Sequence, residues 1–255
     1  MSRTATADDI ALSASFQKTR TLSGPFTITS YYRLSKPGDP LHVYIEGDGL
    51  AWISKLITSD DPTPINPLAL RLAALDPATN VVYLARPCQY TMDAACHYTY
   101  WSSKRFSEPV IESMNEVVSE YVKRSMAREI DLIGYSGGAA VAVLIAERRS
   151  EPTTLRTVAG DLDPQGLNLF HKVSPLTGSL NPMDVAFRIS RVPQRHFVGT
   201  HDTMVPPFVA QNFKRASEYD SCIQVTEVRY AEHAKGWEEK WKDLLEFPMQ
   251  CQDEN

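Results

Sequence analysis

The chain has 255 residues, 43% of them hydrophobic and 22% charged, with a formal net charge of −5. That length suits one large domain able to bury a substantial core. The acidic balance argues against sequence-independent nucleic-acid binding, which needs a basic surface, and no run approaches the ~18 consecutive apolar residues of a membrane span.

Residues 1–22 are polar and rich in Thr, Ser and Ala, with no apolar stretch long enough for a signal-peptide core. They read as a flexible N-terminal segment ahead of a single domain over 23–255. A cytoplasmic chain and an exported one whose leader has been removed both fit this beginning. Phe26–Leu34 alternates with period two and reads as a strand. Leu41–Ile45 is a second strand, ending at Glu46-Gly47-Asp48-Gly49. Asn66–Asp76, with Leu68, Leu70, Leu72 and Leu75 among alanines, reads as a helix, and Val81–Leu84 as a short buried strand closed by Arg86-Pro87. Ser107–Ala127 is the clearest helix. Ser107 can cap it, Pro109 fits its first turn, and Val110, Met114, Val117, Val118 and Tyr121 form one apolar stripe.

The strand Ile130–Tyr135 turns sharply into a helix over Gly138–Arg149. Strands follow at Leu155–Ala159 and Arg195–Gly199, then a helix over Pro207–Tyr219 and a strand over Ile223–Val228. The final helix, Gly236–Phe247, carries Trp237, Trp241, Leu244 and Leu245 on one face. Such alternation predicts a mostly parallel sheet covered by helices. Pro87–Phe106 and Asp161–Asn181 have no regular assignment. Loops of that length usually cover something or carry function, and these two read as the rim of a pocket.

Four cysteines allow three pairings. Cys88–Cys96 is the local one, and Cys222–Cys251 would then tie the tail to the last strand. Free thiols, as in a cytosolic enzyme, fit the residues equally well. No Cys-x-x-Cys occurs, so the spacing is wrong for a two-knuckle zinc site.

Gly134-Tyr135-Ser136-Gly137-Gly138 matches the G-x-S-x-G pattern, whose test is a strand before it and a helix after it. Ile130–Ile133 and Ala139–Ala146 meet both conditions. A strand that turns at once into a helix strains its central residue, and Gly134 and Gly138 supply the room. Ser136 is therefore the candidate nucleophile, standing above the C-terminal end of the sheet. The N–H of Gly137 lies at the helix N-terminus, aimed at developing negative charge.

A serine hydroxyl needs a base, and the base an orienting acid. Of six histidines, His42 and His196 begin strands, at the wrong end of the sheet. His97 lies in the cysteine segment, His171 in the second covering stretch, and His201 beside the better acid candidate. His233, between the last strand and the last helix, remains as the base. Asp202 follows the strand Arg195–Gly199 and is the preferred acid, with Asp161 and Asp163 as rivals after the preceding strand. The second oxyanion donor is expected from the loop after Leu41–Ile45: the N–H of Asp48, with Gly47 as the fallback. Glu46, Tyr135, Trp52 and Asp161 are candidates for the pocket rim.

These residues together resemble the α/β-hydrolase superfamily, from about Phe26 to Phe247. The order Ser136, Asp202, His233 is the one such folds use. The superfamily's oxyanion loop usually reads His-Gly-x-Gly; here Glu46 stands in place of the His. More narrowly, Tyr44-Ile45-Glu46-Gly47-Asp48-Gly49-Leu50-Ala51-Trp52, with Arg86-Pro87-Cys88-Gln89-Tyr90 and Tyr100-Trp101, is similar to a little-characterised group of bacterial α/β hydrolases that are often exported or lipid-anchored. The resemblance implies a mostly parallel sheet with helices on both faces and a small loop-rich cap. It also implies the disulfides Cys88–Cys96 and Cys222–Cys251 and a periplasmic or surface location, with membrane contact only through a removed lipid anchor.

The expected chemistry is acyl transfer from a small-molecule ester to water, with no metal or organic cofactor. Thioesters and peptide-like amides are alternatives on the same triad, and a non-catalytic binding module is the alternative of another class. If Glu46, Asp48, Asp161, Asp163 and Glu232 face the pocket, their field favours neutral or cationic substrates. If they cap helices and turns, it does not.

Overall fold

A computed structural model describes residues 2–54, 56–218 and 221–252. Its centre is an eight-stranded sheet with the order β1-β2-β6-β3-β7-β8-β9-β10. In chain order the strands are β1 (Gln17–Ser23), β2 (Phe26–Leu34), β3 (Leu41–Ile45), β6 (Asn80–Leu84), β7 (Ile130–Tyr135), β8 (Thr153–Val158), β9 (Gln194–Gly199) and β10 (Ile223–Val228). β2 runs antiparallel to both neighbours, and the six strands from β6 to β10 are parallel. A separate hairpin, β4 (Trp52–Ser54) and β5 (Ile57–Thr58), projects from the loop after β3.

Alternation along the inner strands sends side chains into two cores. Val43, Ile45, Val82 and Leu84 pack with α3 (Glu108–Ser125), α4 (Gly137–Ala146) and α6 (Phe208–Ala216). Tyr44, Val81 and Tyr83 pack on the other face with α1 (Arg3–Ser13), α2 (Leu68–Leu75) and α7 (Trp241–Leu245). The inner strands β3, β6 and β7 are thus buried on both faces, which is why they read as nearly continuous apolar runs, whereas the edge strand β10 stays half-exposed. Every residue of α4 is buried, as expected of a helix apolar all round. The α3 stripe Val110, Met114, Val117, Val118 and Tyr121 is buried as its spacing predicts.

Several boundaries differ from the sequence expectations. Within residues 1–22, expected to be flexible, lie α1 and all of β1 but its last residue, Ser23. α1 buries only Ala7 and Ala11, and β1 is a polar edge strand whose pairing with β2 supplies its order. Ser107 occupies the N-cap of α3, yet its side chain makes no capping bond. The covering stretch after β8 contains the helix α5 (Pro164–His171), capped by the Asp163 side chain. The last helix is shorter than expected, because a 3-10 turn over Glu238–Lys240 precedes α7. Tyr219, expected to end α6, and residues 253–255 of the 23–255 domain lie outside the described residues.

Candidate active site

Ser136 sits between β7 and α4 with φ 50° and ψ −122°. A non-glycine residue reaches this region only when its surroundings hold it there, at a cost of about 1–3 kcal/mol. Here the Ser136 N–H donates to Val158 C=O, and its own carbonyl accepts from Ala139 and Asp161 N–H, each at 3.0 Å. The flanking glycines are sterically required. A Cβ on Gly134 would strike the backbone of α4, and one on Gly138 would strike the carbonyls of Ile45 and Glu46.

Three loops at the C-terminal ends of the parallel strands meet over this turn. His201 N–H, after β9, donates to Ala231 C=O, after β10, at 3.0 Å. That bond draws Asp202 and His233 together. His233 lies in a turn closed by Glu232 N–H donating to Lys235 C=O, and the buried Trp237 indole donates to the carbonyls of Glu232 and His233. The His233 Nε2 stands 3.0 Å from Ser136 Oγ, and its Nδ1 stands 3.0 Å from Asp202 Oδ2. Asp202 is buried, and its Oδ1 accepts from the N–H groups of Met204 and Val205 at 2.8 and 2.9 Å. A carboxylate so held can only accept from Nδ1–H, which leaves the Nε2 lone pair to take the Ser136 proton. The Tyr135 ring lies beside the imidazole, 5.4 Å between centroids.

The rival acids have other partners. Asp161 pairs with Arg105 at 3.3 Å. Asp163 Oδ1 caps α5 through Gly166 N–H, and its Oδ2 accepts from Asn212.

The loop after β3 lies against the serine. A Cβ on Gly47 would stand 3.2 Å from Ser136 Cβ, and one on Gly137 would collide with the Asp48 carboxylate. The Gly47 N–H donates to Glu46 Oε1 at 2.9 Å. It is therefore engaged within the loop, which speaks against the expectation of Gly47 as fallback donor.

Three expected rim residues are buried, Glu46, Asp161 and Tyr135, the last with its ring beside His233. Glu46 is 1% exposed, and its Oε2 accepts from Tyr83 Oη at 3.1 Å. Burial pushes its carboxyl up to about 7, against the pull of Gly47 N–H, Tyr83 and the N–H groups of Ala69 and Leu70 at the start of α2. Asp161 is also buried, and desolvation raises it to about 6 while Arg105 pulls it down. Trp52 is exposed on the β4–β5 hairpin.

The acids do not create an open negative field. Asp48 is held between Arg86 Nη1 at 3.2 Å and Arg105 Nε at 3.0 Å, Asp161 shares Arg105, and Glu232 pairs with Lys235. The caps-and-pairs reading of these residues is the one the geometry favours.

A cleft of about 430 Å³ beside His233 is lined by His201, Thr203, Met204, Glu232 and Lys235. A larger one of about 670 Å³ lies where the strands begin, around His42, Asp131, Thr154 and Arg156, and holds no residue of the Ser136 group. Among the described residues no group of three or more His, Cys, Asp or Glu is placed to hold a metal ion. Both disulfides, Cys88–Cys96 and Cys222–Cys251, are formed.

The sequence gives no sign that Arg86, Gln89, Arg105 and Trp237 hold the loops around the serine. Arg86 and Gln89 belong to the Arg86–Tyr90 run that carries the narrower resemblance, and that was their one signal.

No family model matches the chain, and no curated protein does. Solved structures do. An esterase from Pyrococcus furiosus superposes with a TM-score of 0.64 at 14% identity, covering 91% of each chain. An α/β serine hydrolase homologue from Coxiella burnetii gives 0.59 at 13% identity, covering 89% of this chain and 93% of that one. A member of the α/β serine hydrolases without a lid, from Xanthomonas campestris, gives 0.56 at 13%, covering 90% and 89%. At these identities the likeness is one of fold. The chain has the α/β-hydrolase fold, as its sheet order and crossovers independently indicate.

Proposed function

We propose that this α/β-hydrolase-fold protein is a serine hydrolase that cleaves carboxylic esters through an acyl-enzyme. The observation that carries the reading is the continuous chain Ser136 Oγ, His233 Nε2, His233 Nδ1, Asp202 Oδ2, with 3.0 Å at each contact between residues, built on a strained strand-to-helix turn. A nucleophile, a base of fixed tautomer and a buried acid on three separate loops have no stabilising purpose that would require all three together. Their arrangement fits acyl transfer.

In the proposed reaction Ser136 Oγ attacks the ester carbonyl carbon while its proton passes to His233 Nε2. Asp202 stabilises the imidazolium. The carbonyl oxygen becomes an oxyanion received by the N–H groups of Asp48 and Gly137. Collapse breaks the C–O bond to the alcohol, which leaves with the Nε2 proton. Water then gives a proton to His233 Nε2 and attacks the acyl-serine carbonyl; collapse breaks the acyl C–Oγ bond, Nε2 returns the proton to Ser136 Oγ, and the acid is released.

The charge around the serine supports an uncharged substrate. Asp48 and Asp161 are balanced by Arg86 and Arg105, so the support for cationic, aminopeptidase-like substrates falls away. Met204 is exposed and lines the cleft beside His233, which fits an acyl or alcohol group of apolar character. The two disulfides fit a life in an oxidising compartment.

The test is a panel of neutral, anionic and cationic 4-nitrophenyl and alkyl esters with the purified protein and its Ser136→Ala variant. Turnover of neutral esters that disappears in the variant is expected. Equal turnover in both proteins would overturn the proposal.

A further inference from the structure

We propose that Gln89 is a positioning residue for the oxyanion donor: its buried carboxamide holds the Gly47 carbonyl and thereby fixes the direction of the Asp48 N–H. This rests on the reading of Ser136 as the nucleophile.

The geometry begins in the sheet. β3 and β6 pair in parallel as far as Ile45 and Leu84, and the last ladder bond runs from Glu46 N–H to Leu84 C=O at 3.1 Å. The next bond of a regular parallel ladder would join Arg86 N–H to the Glu46 carbonyl. A side chain intervenes instead. Arg86 N–H donates to Gln89 Oε1 at 3.0 Å, and Gln89 Nε2 donates to Gly47 C=O at 3.0 Å. These partners fix which end of the amide is oxygen and which is nitrogen. A carboxamide accepts at one end and donates at the other, as a peptide unit does, so it extends the sheet while letting the two strands part. Parting brings Gly47 over Ser136.

Gly47 C=O and Asp48 N–H belong to the same peptide. In a planar trans peptide the two groups point in opposite directions, and the chain contains no cis bonds among its described residues. Holding the carbonyl on Gln89 therefore turns the Asp48 N–H away from Gln89. If this peptide rotated, a carbonyl would replace the donor, and an oxyanion would meet a lone pair. Glycines on either side of Asp48 offer little resistance to such rotation, so the restraint must come from outside the loop. The Gly47 N–H, held by Glu46, fixes the preceding peptide in the same way.

Gln89 is itself firmly mounted. It is 1% exposed, and its N–H donates to Arg86 C=O at 3.1 Å. The turn that aims it places two non-glycine residues in left-handed backbone, Cys88 at φ 69° and Tyr90 at φ 61°. Cys88 is tied to Cys96, and Tyr90 N–H donates to Thr63 Oγ1 at 2.8 Å. The Cys88–Cys96 bridge and the unusual turn thus acquire a purpose next to the chemistry.

The test uses Gln89→Glu and Gln89→Met. The first keeps the acceptor for Arg86 but sets a carboxylate oxygen against Gly47 C=O; the second keeps the length and loses both bonds. Loss of one oxyanion donor costs roughly 10²–10³ in kcat. Both variants are expected to lose on the order of 10²-fold in kcat with KM within about threefold. Affinity for a trifluoromethyl ketone, which forms a tetrahedral adduct, should fall in parallel. A merely structural role would instead lower stability without tracking that inhibitor. Hydrogen exchange supplies the readout that does not need activity: amides of residues 46–50 should exchange faster in both variants, and those of 229–236 should not. Unchanged exchange at 46–50, or kcat within threefold of wild type, overturns the inference. Absence of ester turnover in the wild type would instead strike the parent reading, leaving the exchange result to judge Gln89 by itself.

Discussion

Replacing Asp202 by Asn tests the relay at its least exposed member. Asp202 Oδ1 accepts two backbone N–H groups, from Met204 and Val205, and Oδ2 faces His233 Nδ1. An asparagine must keep its oxygen toward the two backbone donors, because its NH₂ there would oppose two N–H groups. Its NH₂ is then turned toward His233. A neutral imidazole meets this donor by presenting the Nδ1 lone pair, which moves the ring proton to Nε2, opposite Ser136 Oγ. The base then has no lone pair for the serine proton. The wrong tautomer in a triad of this kind costs about 10⁴-fold in kcat, or about 5.5 kcal/mol of barrier at about 1.4 kcal/mol per decade. The fold should change far less, since both backbone bonds survive in neutral form, each worth about 1 kcal/mol. The assay is kcat and KM on a neutral 4-nitrophenyl ester, alongside urea unfolding of both proteins. A loss below tenfold in kcat, with unfolding midpoints alike, would refute the tautomer argument.

Gly137→Ala drives a methyl group into the Asp48 carboxylate, which Arg86 and Arg105 hold in place. A fall in kcat of roughly 10²–10³ is expected from displacement of the oxyanion loop, read on the same ester. Glu46→Gln changes how stability depends on pH. Native Glu46 titrates at about 7 against 4.5 for the exposed group, so between those values the folded chain keeps a proton that the unfolded chain releases. Wild-type stability therefore falls as pH rises through this window, by up to about 3 kcal/mol from this group. Urea midpoints from pH 4.5 to 7.5 should fall less steeply in the variant, and parallel curves would count against the buried carboxyl. Removing the Cys222–Cys251 bridge, which spans 29 residues, should cost about 3–4 kcal/mol by chain entropy. It lies at the start of β10, away from His233, so kcat should stay within about twofold of wild type; a collapse of activity in a still-folded variant would contradict this placement.

The candidate nucleophile is legible in the sequence because its constraints are local. Gly134, Ser136 and Gly138 lie within one turn, and the apolar runs on either side declare strand and helix. His233 was reached by eliminating histidines at the wrong end of strands, an argument that needs only the direction of each strand. The choice between Asp202 and Asp161 was harder, since both follow parallel strands. In space Asp202 is the one that meets His233, through loops joined by the His201–Ala231 bond, which no periodicity records. Glu46 misled as a rim residue because sequence places it at a strand end but cannot show that α2 packs its N-terminus over that end. α1 and β1 escaped notice for a related reason. Their residues are polar or small, and their order comes from pairing with β2 and from two buried alanines rather than from an apolar pattern. Gln89 was invisible as a functional residue because its role depends on one peptide of another strand, 42 residues away.

The most direct test of the central claim is covalent labelling of the intact protein by a fluorophosphonate, followed by mass mapping of the modified residue. One adduct per chain, located on Ser136 and absent from Ser136→Ala, is predicted. Adduct formation should also slow strongly in the Asp202→Asn variant, because attack on phosphorus needs the same base. Labelling that persists in Ser136→Ala, or a wild-type protein that takes no label while fully folded, would contradict the assignment of Ser136 as an activated nucleophile.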